Sequence, residues 1–192
     1  MSKFISSLAC FLAVILHFNL IAAAQAPTGE LIWDDFSYKG IYLGDSKEDI
    51  AKMQEEPLFE TEVTVLGEDC IRYTFSDNVY IYINKAENKV VEISIRNKKY
   101  QARGGVTYGS LPALLNKVYG KSEHLKLEGK ACYVYQSKKF PNASLILELD
   151  NTYFYVVGMR LTLLEPNTSE LVGVKQADPF GLHIGEPNYN RW

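Results

Sequence analysis

Short runs of alternating apolar and polar residues fill most of the chain between residues 62 and 163, and a period of two marks a half-buried strand. In one such run Val79, Ile81 and Ile83 fall on one side, and Tyr80 and Tyr82 on the other. Four runs, at residues 62–66, 70–75, 79–84 and 90–96, are separated by brief polar turns. Four more follow at 124–127, 131–137, 144–149 and 153–163. Turns this short predict antiparallel hairpins. Ahead of each set of four the period lengthens. Ile50 and Met53, then Leu111, Leu114, Leu115 and Val118, fall at helical spacing. Each helical stretch is introduced by the same frame, Gly40-Ile41-Tyr42-Leu43-Gly44-Asp45 in the first case and Gly105-Val106-Thr107-Tyr108-Gly109-Ser110 in the second. A third copy, Gly181-Leu182-His183-Ile184-Gly185-Glu186, echoes only the opening.

The second glycine of the frame is suited to a backbone angle that other residues resist. Asp45 or Ser46, and Ser110 in the second copy, are placed to accept from the free N–H groups of a helix start, and Ser46 with Asp49 makes a variant of the capping box. Pro112 stands where its missing N–H costs nothing, and Pro57 and Gly120 stop the two helices. The pattern therefore predicts an α+β fold: two helix-plus-antiparallel-meander repeats forming one continuous sheet or two abutting sheets, with the helices on one face. The expected divisions are a lead-in at 25–38, repeat 1 at 39–97, a linker at 98–104, repeat 2 at 105–164 and an irregular tail at 165–192.

Residues 1–24 read as a secretory signal peptide, with Lys3 ahead of a long apolar run and Ala22-Ala23-Ala24 supplying small residues for cleavage. Its apolar run is interrupted by His17 and Asn19 and is short for a membrane span. A periplasmic or secreted location follows, with no membrane insertion of the mature chain. The net charge is −3, with no basic excess to neutralise phosphates, which argues against nucleic acid as a partner. Beyond the leader only Cys70 and Cys132 remain, both on the third-from-last strand of their sets. An even count in an oxidising compartment suggests a disulfide between them; two separate buried thiols are the alternative. A metal site is not expected, and neither is a cofactor, because cysteine and histidine are too few and no phosphate-binding loop is present. Asn142 and Asn167 head glycosylation sequons.

Chemistry for an enzyme is thin. His124 and His183 are the only histidines outside the leader, and no serine or cysteine stands in a nucleophile elbow. Glu148 and Asp150 share a strand face but read as a solvated edge and a turn residue. Tyrosine is the conspicuous feature. Tyr73, Tyr80, Tyr82, Tyr133, Tyr135, Tyr153 and Tyr155 lie in or beside the strands, and a sheet face bearing several of them would suit protein recognition. Ordinary cross-strand tyrosine pairing on a half-wet sheet is the alternative.

The leader, the Gly40 and Gly105 frames, the capped short helices and the meanders together resemble the fold shared by the beta-lactamase inhibitory protein and small outer-membrane-assembly lipoproteins. The tandem form, over residues 38–163, is more similar to the inhibitory protein. That resemblance implies one curved sheet whose concave aromatic-bearing face grips another protein. The expectation is a non-enzymatic protein-binding module, an inhibitor or an immunity-type partner of an envelope enzyme. The alternatives are a structural or envelope-assembly factor and an enzyme with an unrecognised site near His124 or His183.

Overall fold

The computed structural model describes residues 29–165. The leader, the tail from residue 166, His183 and the Asn167 sequon lie outside them. The described chain opens with a 3-10 turn at Trp33–Phe36 and a tiny hairpin of β1 (Ser37–Tyr38) and β2 (Ile41–Tyr42). The lead-in is thus a turn and a short hairpin. It is fastened from a distance: the Arg103 guanidinium donates to Asp35 at 3.0 Å and to the Glu30 carbonyl at 2.8 Å.

A second 3-10 segment spans Lys47–Met53, and the Asp49 carboxylate accepts from the Ser46 backbone N–H at 3.0 Å, as the spacing suggested. The first meander follows as β3 (Phe59–Val65), β4 (Glu68–Phe75), β5 (Val79–Asn84) and β6 (Lys89–Ile95). Helix α1 covers Pro112–Tyr119, with Pro112 in its first turn. Ser110 does not cap it; its hydroxyl accepts from the Thr107 N–H at 2.9 Å instead. The second meander is β7 (Glu123–Leu127), β8 (Lys130–Gln136), β9 (Ser144–Leu149) and β10 (Val156–Thr162).

All eight strands form one antiparallel sheet in the order β3-β4-β5-β6-β10-β9-β8-β7. The seam between the meanders is β6 against β10, with Ile93 opposite Leu161 and Ser94 opposite Arg160. The predicted fold class needs correction. Among the described residues α1 is the one α-helix, the segment after Ser46 is 3-10, and the molecule is mostly β; it is not a pair of helix-plus-meander repeats. The physical reason lies in the first half. Gln54 ends the segment in the left-handed region after seven residues, and Pro57 follows three residues later, leaving too few turns to propagate an α-helix.

The two frames nevertheless do equivalent jobs. Gly44 and Gly109 both take φ near the left-handed region, at 85° and 86°. The Gly44 N–H donates to the Val90 carbonyl and the Gly109 N–H to the Val156 carbonyl, both at 2.8 Å. Each frame is thereby tied to the start of a central strand. One core lies on the inner face of the sheet, where Phe36, Ile50, Met53, Leu115, Val118 and Tyr119 pack against Phe75, Ile81, Ile93, Leu145, Leu147 and Leu161. Alternation sends the remaining strand residues to the outer face.

Candidate functional site

Register decides which side chains meet on that outer face. Thr61 lies opposite Arg72, Arg72 opposite Tyr82, and Tyr82 opposite Glu92, so these four form one row across β3 to β6. The neighbouring row runs Phe59, Thr74, Tyr80, Ser94 and Arg160. Toward β3 this surface is open: Phe59 is 66% exposed, Thr61 is exposed, and Arg72, Tyr80 and Tyr82 are half-buried. Burial raises the Tyr82 phenol pKa, with the nearby Glu92 carboxylate adding to it.

Toward the seam the outer face closes over charge. Arg160 grips Glu92 through two parallel bonds, Nε to Oε1 at 2.9 Å and Nη2 to Oε2 at 3.0 Å, with both side chains almost fully buried. Burial works against the Arg160 charge, but the Glu92 carboxylate more than offsets it and raises the pKa. Glu148 is equally buried and is held by Arg96 at 2.9 Å and Lys130 at 3.1 Å. It is therefore an internal ion and not the solvated edge residue that the sequence suggested. Gly158 makes room for it, since a Cβ there would come within 2.9 Å of Glu148 Oε2. Asp150 does serve its turn, accepting the N–H groups of Thr152 and Tyr153 at 2.9 and 2.8 Å. Beyond Glu148 the outer face becomes apolar, with Leu127, Cys132, Val134 and Ile146 packed together.

The seven tyrosines do not share a face. Tyr80 and Tyr82 are outer. Tyr73 lies opposite Ile81 on the inner face and is buried in the core, and Tyr135, opposite Leu145, is buried there too. Tyr133 is inner and half-buried beside His124, with ring centroids 5.4 Å apart. Tyr153 and Tyr155 precede β10 in a turn, where Tyr153 is 71% exposed and Tyr155 meets Tyr108. A single tyrosine surface is therefore replaced by a smaller one built on Tyr80 and Tyr82. Pattern alone shows which residues share a face within a strand; only the partner strand shows which face it is.

The proposed disulfide is also corrected. Cys70 and Cys132 are free, buried thiols. Each does occupy the second strand of its meander, but the strand order puts β4 and β8 five positions apart, about 24 Å at the usual strand spacing, far beyond bridging reach. Burial pushes the Cys132 thiol up to about 12, with the Glu148 charge contributing, so it stays protonated. His124 sits between the rings of Tyr133 and Phe154, its Nε2 is buried without a hydrogen-bond partner, and burial lowers its pKa. These surroundings make it a neutral packing residue. No cluster of three metal-ligating side chains occurs among the described residues. A shallow cleft at the seam, lined by Arg96, Tyr100, Thr107, Tyr108 and Gly158 among others, offers the Arg96 side chain but no nucleophile.

No protein family matches the sequence, and no curated protein does. Solved structures give distant similarity. An extracellular protein containing an SCP domain from Bacillus anthracis is 15% identical with a TM-score of 0.45, over 62% of this chain and 43% of that one. A DUF4309 family protein from Bacillus subtilis is 14% identical with a TM-score of 0.46, over 70% of this chain and 87% of that one. A cysteine-rich secretory protein from Staphylococcus aureus is 13% identical with a TM-score of 0.42, over 62% and 44%. The match thus spans less than half of the first and third proteins. Similarity this slight carries no functional inference, and it does not bear on the resemblance to the beta-lactamase inhibitory protein. Among the described residues no helix is long and apolar enough to cross a membrane.

Proposed function

We propose that the chain is a non-enzymatic binding module, secreted or periplasmic, that holds another protein on the outer face of its first meander. The observation that supports this reading is the contrast in burial across one sheet face. Phe59, Arg72, Tyr80 and Tyr82 remain accessible, whereas Glu92, Arg160, Glu148, Cys132 and Ile146, from the seam onward, are buried. Aromatic rings and an arginine left half-exposed on a rigid sheet are the composition enriched at the energetic centres of interfaces. The signal-like leader supports the location. The neutral, ring-packed His124 and the protonated thiols support a non-catalytic role.

The test is affinity capture from the envelope fraction of the source cells, followed by equilibrium binding of the purified partner. Replacing Tyr80 and Tyr82 together by Ala is expected to weaken that binding by about 30-fold, the equivalent of roughly 2 kcal/mol. Unchanged affinity in the double variant sinks the assignment of this face.

A further inference from the structure

Four arginines lie among the described residues, and three of them are committed. Arg96 pairs with Glu148 at 2.9 Å, Arg103 with Asp35 at 3.0 Å and Arg160 with Glu92 at 2.9 Å. Arg72 is different. Its Nε is buried with no hydrogen-bond partner, and no carboxylate among the described residues pairs with it. Its guanidinium stands 5.8 Å from the centre of the Tyr80 ring. The carboxylate nearest along the same cross-strand row, Glu92, is already held at both oxygens by Arg160.

A guanidinium in this state has lost water around Nε and gained no anion in return. The Tyr80 ring beside it and the buried Nε restrict its freedom, so less ordering remains to be done when a ligand arrives. One of its terminal donors meets the Tyr82 hydroxyl, and the others present a fork that matches a carboxylate. Thr61 lies opposite it on β3, and the positions on either side of Thr61 are apolar: Phe59 is 66% exposed one row away, and Val63 is half-buried on the other side. A free inorganic anion would leave that apolar border uncovered. A peptide segment with one acidic residue between apolar ones would cover both.

We infer that Arg72 is the charge-reading centre of the binding face, and that it receives an Asp or Glu side chain of the partner protein, flanked by apolar residues that seat on Phe59 and Tyr80. This rests on the proposed binding role of that face and specifies the chemistry of what it accepts.

The test uses a phage-displayed library of random twelve-residue peptides, selected in parallel on the wild-type chain, on Arg72→Gln, and on the chain in which Tyr80 and Tyr82 are both Ala. Wild type is expected to enrich peptides with an acidic position next to an apolar one. A synthetic copy of the leading peptide should bind at least about tenfold more weakly when its acid is changed to the amide, and by a similar factor to Arg72→Gln. Arg72→Lys should recover part of the loss, because charge returns without the fork. Thermal melting checks that the variants fold, and the acid-to-amide peptide needs no variant at all. Peptides that depend on the two tyrosines but not on their own acid, or not on Arg72, overturn the carboxylate assignment and leave the face standing. Enrichment no different from that on the double tyrosine variant overturns both. A chain that self-associates in sedimentation, and loses this on Arg72→Gln, makes the occupant a second copy and overturns the foreign partner.

Discussion

The two meanders share a backbone plan and differ in what they put on the outer face. Strand for strand, Arg72 and Tyr82 of the first correspond in place to Val134 and Ile146 of the second, as the cross-strand registers show. The first pair is polar, aromatic and half-buried; in the second, Ile146 is 1% exposed and Val134 is half-buried against the same small apolar cluster. On the central strands the buried inner-face residues are aliphatic or aromatic in both halves and merge into one core. The inner face therefore carries the fold in both halves, while the outer face is free to differ. One half has spent it on packing and the other has left it available.

The largest expected effect concerns the joint between them. Replacing Arg160 by Met strands Glu92 in a buried site without its counter-ion, and should destabilise the protein by roughly 3–5 kcal/mol in urea denaturation. Replacing Glu92 by Leu at the same time should restore much of that loss, because the cost is the unpaired charge and not the absence of the pair. A double variant as unstable as the single one would mean that the two halves need the ion pair for geometry.

Equivalent positions offer a sharper and smaller test. Ile146→Ala removes a buried side chain and should cost roughly 2–4 kcal/mol. Tyr82→Ala, at the corresponding place, should cost less stability, because the ring is half-exposed, and should act on binding instead. Equal losses from the two would erase the distinction between a packed half and an available one.

The smallest effect is a pH dependence peculiar to the second half. Burial lowers the His124 pKa in the folded protein, so the unfolded chain takes up a proton first as pH falls. The stability contributed by neutral His124 is complete above its unfolded pKa, near 6.5, and declines below it toward the folded value. Melting temperature from pH 7.5 down to 5 should therefore fall less steeply in His124→Phe than in wild type. Parallel curves would show that His124 titrates alike in both states.

Much of the sheet was legible because its signal is local. The alternation in residues 79–84 and 144–149 gave strands at the bounds observed, and the capping pair of Ser46 and Asp49 reads directly from spacing. What was not legible depended on contacts distant in sequence. Tyr73 shares a face with Phe75 on any reading, but its burial follows from pairing with Ile81. Tyr135 is covered by Tyr119, whose ring lies 5.3 Å away on α1. Glu148 looked like a rim residue until Arg96 and Lys130 came to it from β6's end and β8. The cysteines misled for the reverse reason: equal places within two meanders suggested adjacency, but the meanders meet through β6 and β10, which sends β4 and β8 to opposite wings. Arg72 carried no sequence signal. It stands out only by elimination, once every other described arginine has its carboxylate.

The seam has a consequence for how the chain acquires its shape. Within each meander every strand pairs with its immediate neighbour in sequence, but β6 finds β10 only after roughly sixty intervening residues, a separation that slows pairing. During synthesis or export the first meander is complete while β6, later buried at nearly every position, is still an uncovered margin. Its final partner is also the last strand of the described chain. The innermost pairing of the mature sheet is thus the last that can form, and a nascent chain halted before residue 156 would offer β6 to any other extended polypeptide nearby.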